Sequence, residues 1–165
     1  MKLIARKLES GGKYDRLRVL RDDGSETGCE MPRQGVLPHD LVHAVVESHL
    51  HLKDGFLGLV GKGADIAFAE KNFREYIDPV RHFEVAQAES VVEGLQTQLW
   101  QGTFDFTAFI AGVEGACAMR GVAVPQISEA DGQAMFDTAL RLNEQWRQIP
   151  AKAEFTLAFP LAETA

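Results

Sequence analysis

Apolar positions recur along this chain with two different periods, which divide it into an N-terminal β part and a longer helical part. In Tyr14–Arg21, Leu17 and Val19 fall on one face and Arg16 and Arg18 on the other. A period of two with one wet face predicts a strand of an antiparallel sheet. Met1–Leu8 mixes apolar and basic residues, is broken by Gly11-Gly12, and reads as the preceding strand. Asp22-Asp23-Gly24-Ser25 carries an Asp-Gly turn signal, so Glu26–Met31 is expected to return as a third strand. Together these segments predict an antiparallel meander. Near the other end, Phe155, Leu157 and Phe159 alternate with Thr156 and Ala158 before Pro160. That predicts a closing strand which rejoins the meander.

Between the two β parts the period is that of a helix. Pro38 opens a helix from His39 to about Leu52, stopped by Asp54-Gly55. The glycine-rich Phe56–Gly63 predicts one helical turn or a tight loop, and residues 64–78 carry no clear period. Pro79 marks the first turn of a long helix to about Gln101, with Val85, Ala88, Val92, Leu95 and Leu99 in one stripe. In Phe104–Met119, Phe106, Phe109, Ile110, Val113 and Cys117 share one face, and Ala108, Ala111, Gly112, Gly115 and Ala118 share the other. This predicts a helix buried on two sides. Its small face suits close approach of another helix, within or between chains, so a homo-oligomer is one expectation. Ser128 and Asp131 resemble a capping box opening a helix from Glu129 to about Gln148, which Pro150 stops. Strands first, then about four helices, then one strand predict a single α+β domain over residues 1–165.

Composition narrows the function classes. The 165 residues are 45% hydrophobic and 25% charged, enough to build a core without disulfides. Acidic residues outnumber basic ones, 24 to 17, and the net charge of −7 repels phosphate backbones, so no nucleic-acid partner is expected. No run approaches the length of a membrane span, and the N-terminus lacks the apolar core of a signal peptide. Cys29 and Cys117 lie far apart and read as free thiols. A cytoplasmic protein without a membrane partner is the expectation.

One stretch carries chemistry. Four of the five histidines, His39, His43, His49 and His51, fall within thirteen residues on the first expected helix. With His39 at zero on a helical wheel, His43 lies at about 40°, Glu47 at about 80° and Asp40 at about 100°. His39, His43 and Glu47 therefore line the edge of the apolar arc of Leu41, Val42, Val45 and Val46, while His49 falls inside it and His51 outside. His-x-x-x-His places two imidazoles on neighbouring turns, close enough to share a divalent transition metal ion such as zinc. Glu47 stands roughly 12 Å along the axis from His39, too far to join both on one ion. A third ligand must come from another element, and His82, Glu89, Glu93 and Asp65 are the candidates. His82, Glu89 and Glu93 share a stripe away from the apolar centre of their helix, a placement that predicts a solvated face. The structural alternative makes His39 a first-turn residue, Asp40 a complement to the helix dipole, and His43 a hydrogen-bond partner of a nearby loop. Glu114 is the only charge between Asp105 and Arg120. In a buried helix it must be paired or protonated: it is a metal ligand or acid/base partner of the histidines, or it pairs with an Arg such as Arg74 or Arg81, or it faces a small opening to solvent.

Two resemblances bear on this stretch. His39-Asp40-Leu41-Val42-His43 resembles the HExxH signature of zinc metallopeptidases, with Asp in place of Glu. The resemblance implies His39 and His43 as metal ligands and Asp40 as the base, its shorter side chain reaching about 1.5 Å less far. The wider segment, Leu37-Pro38-His39-Asp40-Leu41 with His43, Val46-Glu47 and Gly55-Phe56-Leu57-Gly58, resembles an uncharacterised group of bacterial proteins. These carry an LPHDLxHxxVE segment followed by a Gly-Phe-x-Gly turn, which implies a small bacterial domain and no particular activity. Two functions are thus expected. One is a small binding or oligomerising module. The other is a metal-dependent, hydrolytic enzyme with His39 and His43 as ligands and Asp40 or Glu114 as base.

Overall fold

Strand pairing follows the alternation read from the sequence. The computed structural model describes residues 1–162, with the backbone alone at 68–72. Strands β1 (Lys2–Arg6), β2 (Tyr14–Leu20), β3 (Glu26–Pro32) and β4 (Glu154–Ala158) form one antiparallel sheet in the order β3-β2-β1-β4. Leu3 pairs with both Val19 and Leu157, and Ala5 with both Leu17 and Phe155, so the same face of each strand carries the apolar residues. The β2–β3 turn closes with Gly24 donating to the Arg21 carbonyl at 3.0 Å, and Gly24 takes the positive φ of 85° that this turn requires. The predicted α+β architecture, with its meander and its returning C-terminal strand, is the observed one. The last three positions of the predicted 1–165 span lie outside the described residues.

Six helices follow the meander: α1 (His39–His49), α2 (Phe56–Lys62), α3 (Ala69–Tyr76), α4 (Glu84–Gln101), α5 (Phe106–Arg120) and α6 (Glu129–Gln148). Two of them, α2 and α3, occupy the stretch where glycines or mixed residues hid any period. The expected long helix from Pro79 is interrupted. Pro79–Arg81 form a separate 3-10 turn, capped by the Asp78 carboxylate accepting from Val80 N at 3.0 Å, and the α-helix restarts at Glu84. The predicted Ser128–Asp131 capping box is present at the start of α6.

Helix α1 is the centre of the molecule. Every residue from Leu41 to Glu47 is buried. It packs against α2, α4 and α6, and its aliphatic residues share one core with Leu3, Ala5, Leu17, Val19 and Met31 of the sheet. A helix enclosed on so many sides brings any polar residue it carries into the interior.

Helix α5 corrects an expectation. Only Phe109, Val113 and Cys117 are buried, whereas Ala108, Ala111, Gly112, Gly115 and Ala118 are exposed, and so is Glu114. Small side chains remove little surface from water and do not demand a partner. The close approach between α4 and α5 occurs at Gly94 of α4 instead, where a Cβ would come within 2.9 Å of Val113 Cγ2. Among the described residues, no helix is long and apolar enough to cross a membrane.

Candidate metal centre

Helices α1 and α4 cross so that three side chains converge. His39 and His43 extend from α1 toward Glu89 of α4. His39 Nε2 lies 3.1 Å from Glu89 Oε1, His43 Nε2 lies 3.0 Å from Glu89 Oε2, and the two Nε2 atoms are 3.2 Å apart. Three ligand atoms about 2.1 Å from a tetrahedral ion lie about 3.4 Å from one another, so this spacing fits one small divalent cation. Among the described residues this is a group of His and carboxylate side chains with metal-ligand proximity. Of the four candidates for a third ligand, the structure brings in Glu89. His82 is exposed and donates to the Pro79 carbonyl at 2.8 Å. Glu93 pairs with Arg120 at 2.6 Å, and Asp65 accepts from Thr27 Oγ1 at 2.9 Å. Glu89 is not on a fully solvated face: its side chain is 34% exposed and that of His39 30%, while His43 is at 1%.

The far nitrogen of each imidazole is already engaged. His43 Nδ1 donates to Glu47 Oε1 at 3.0 Å, and His39 Nδ1 donates to Gln96 Oε1 at 3.3 Å. These bonds place the Nδ1 protons away from the cluster and turn both Nε2 atoms into it. Metal-binding histidines use that arrangement to fix ring orientation and tautomer. Gln96 is itself oriented by donating from Nε2 to Gln34 Oε1 at 2.5 Å, and Trp100 Nε1 holds the Gln34 carbonyl at 2.9 Å.

Glu47 is the residue whose role sequence reading missed. Its carboxylate is fully buried and accepts from His43 Nδ1 and from the backbone N–H groups of Leu57 at 2.9 Å and Gly58 at 3.0 Å, in the first turn of α2. This contact explains the Gly-Phe-x-Gly turn. A Cβ on Gly55 would fall 2.5 Å from the Glu47 carboxyl, and one on Gly58 would run into the Lys53 carbonyl. The Phe56 ring packs 5.0 Å from the His43 ring. The signals available were the i, i+4 spacing of His43 and Glu47 and the seven-residue, two-turn spacing of Glu89 and Gln96, which puts both on one side of α4.

The electrostatics follow from these contacts. Burial opposes the charged form of His43, but the hydrogen bonds to Glu47 and Glu89 outweigh it and push its pKa up to about 9. Burial likewise opposes charge on His39, and its bond to Glu89 again raises the pKa above the ordinary value. Glu89 is held well below the carboxylate range because its two histidine partners outweigh its burial. Both imidazole Nε2 atoms thus share the one Glu89 carboxylate, and His43 also holds Glu47. Asp40 is half-buried, and burial raises its pKa against the pull of His43 and His39. His49 is half-buried and His51 exposed, and neither joins the cluster. Glu114, predicted to be a buried acid/base candidate, stands exposed on α5 outside it.

A second buried carboxylate offers a contrast. Asp54 is 0% exposed, is paired with Lys62 Nζ, accepts from Asp78 N at 2.8 Å, and has Arg81 Nε at 3.6 Å. Burial would raise its pKa, but Lys62, the Asp78 amide and Arg81 together hold it low.

Compared with models of protein families, with curated proteins and with solved structures, the chain matches none.

Proposed function

We propose that this protein binds one divalent transition metal ion, such as zinc, through His39 Nε2, His43 Nε2 and the Glu89 carboxylate, and that it is a metal-dependent hydrolytic enzyme. The observation that carries the reading is the convergence of three ligand atoms at 3.0–3.2 Å with both Nδ1 atoms already bonded outward. Two Nε2 atoms 3.2 Å apart that both face one carboxylate cannot each keep a proton without repulsion, and an ion between them would replace those protons. Two histidines and one carboxylate leave coordination positions for water and substrate, and such an ion supplies Lewis acidity. His43, Glu47 and the α2 amides keep one ligand rigid, while His39 and Glu89 form the accessible edge. Asp40, next to His39 on α1 and with its pKa raised by burial, is the proton acceptor in this reading. Glu114 has no part in it. Two free thiols, Cys29 and Cys117, suit a reducing, cytoplasmic setting.

The test is metal content and uptake of protein purified without a His tag. After chelator treatment, about one equivalent of Zn(II) or Co(II) should bind per chain, and His43→Ala and Glu89→Ala should abolish uptake while the fold, followed by circular dichroism, persists. Failure of wild-type protein to take up either ion, with no change in thermal stability on adding it, overturns the proposal.

A second reading is an oligomerising module. It is supported by the outer face of α5, where Ala108, Ala111, Gly112, Gly115 and Ala118 are exposed and Met119 is 91% exposed. Sedimentation equilibrium decides it: a monomer at high concentration removes the reading, and a dimer that Ala111→Glu dissociates supports it.

A further inference from the structure

A cleft of about 390 Å³ lies between the end of β1, the loop that enters α1 and the C-terminal end of α6. Three of its lining side chains are cations, Lys7, Arg33 and Arg147, in a chain whose net charge is −7. Its one lining anion, Asp15, is buried, and its Oδ1 is taken up by Arg33 Nη2 at 2.8 Å and by Leu8 N at 2.9 Å. The Asp15–Arg33 pair cancels itself, so the cleft keeps two positive charges. Lys7 Nζ donates to the Arg147 carbonyl at 3.3 Å and lies 5.1 Å above the Trp146 ring. It therefore caps the last turn of α6, which accounts for its position but neutralises no charge. The Arg147 guanidinium forms no ion pair among the described residues. Burial lowers the Lys7 pKa, and the nearby Arg33 and Arg147 lower it further, against the pull of Asp15. Around these cations the walls are apolar, formed by Trp146, Val36 and Ile149.

We propose that this cleft binds a small organic oxyanion, a carboxylate or phosphate on an apolar or aromatic body. Lys7 and Arg147 take the charged group, and Trp146, Val36 and Ile149 take the body. The volume is that of a small-molecule site, and convergent charges over an apolar wall are how such sites fix orientation. The site shares no ligand residue with the His39–His43–Glu89 cluster, and the proposal stands whether or not an ion binds there.

The test uses the full chain, followed by amide and indole chemical shifts during titration with benzoate and with phenyl phosphate at constant ionic strength. Benzyl alcohol serves as the uncharged control. At least one anion should give saturable shifts confined to residues 7–8, 33–38 and 146–151. Response to phenyl phosphate alone assigns a phosphate, to benzoate alone a carboxylate, and to both a general oxyanion site. Arg147→Gln, at an exposed position, and Lys7→Gln should each weaken binding about tenfold, the effect of one charge-assisted hydrogen bond. No saturable shift with either anion, equal shifts with benzyl alcohol, or unchanged affinity in Arg147→Gln overturns the proposal.

Discussion

The His39–His43–Glu89 cluster and the Asp54 cluster hold similar charge at similar depth, yet they are built to opposite ends. Around Asp54 the carboxylate sits between Lys62, Arg81 and a backbone amide, so each group faces an opposite partner. Around Glu89, like faces like: two imidazole nitrogens approach to 3.2 Å, while their other nitrogens are tied to Glu47 and Gln96. The first arrangement is complete in itself. The second, on the proposed reading, is completed by a cation in place of protons between its nitrogens. On the proposed reading, what separates the two clusters is the direction of the donors and lone pairs, not the number of charges.

The strongest way to break this comparison is to remove the support behind His43. Glu47→Ala strands one imidazole nitrogen and two backbone N–H groups in the interior. It should cost about 3–5 kcal/mol of unfolding free energy in urea titrations. Asp54→Asn, whose partners Lys62 and Arg81 are partly exposed, should cost about 1–3 kcal/mol and leave metal uptake unchanged. A larger loss for Asp54→Asn than for Glu47→Ala would reverse the ranking of the two clusters.

The two clusters should also respond to opposite ends of the pH scale. The folded-state pKa of His43 is raised to about 9 from an ordinary value of 6.5. Its contribution is therefore fully present below pH 6.5 and lost as pH rises through 9, a change on the order of 3 kcal/mol in metal-free protein. Asp54 is held low, so its contribution is present above the ordinary carboxylate value of 3.8 and fades as pH falls below it. Metal uptake has the reverse dependence to His43 protonation, because the ion needs neutral imidazoles. The gap between metal-loaded and metal-free melting temperatures should widen from pH 6 to 9, and a constant gap would separate His43 from the metal.

Smaller effects sharpen the picture. Gln96→Leu removes the acceptor behind His39 and should weaken metal affinity roughly 10–100-fold, measured by competition with a chelating dye, with little loss of stability. Glu114→Gln, on the exposed face of α5, should change neither metal uptake nor stability by more than about 0.5 kcal/mol.

Much of the fold was legible because its strands alternate cleanly. Leu17 and Val19 against Arg16 and Arg18 state which face is buried, and Asp23-Gly24 states where the chain turns. The paired histidines were legible for the same reason, as residues four apart on one helix. Glu89 stood only as one of four candidates, on a stripe read as solvated, because a wheel measures its angle only from the apolar centre of α4. That helix is clasped between α1 and α5, and its buried set includes Gln87, Ser90, Gln96 and Gln98. A polar residue on such a helix is exposed or enclosed according to what crosses it, which is a tertiary fact. Helix α5 failed in the other direction: its alanines and glycines look buried by composition, but their small area gives them no strong reason to be. Glu47, expected to stand too far along the helix to share an ion with His39, bonds His43 Nδ1 one turn away on the same helix, and its grip on the Leu57 and Gly58 amides appears only once α2 lies across it.

The grip of Leu57 N and Gly58 N on Glu47 has one further consequence. Those two amides can exchange with solvent only when the first turn of α2 lifts from the carboxylate, and the carboxylate is held in turn by His43. Opening that turn frees the ring that a bound ion needs fixed. Ion binding at one end of the relay should therefore slow deuterium uptake at the other, two helices away from Glu89. Two backbone protons in a glycine-rich turn become the gauge of what the histidines hold.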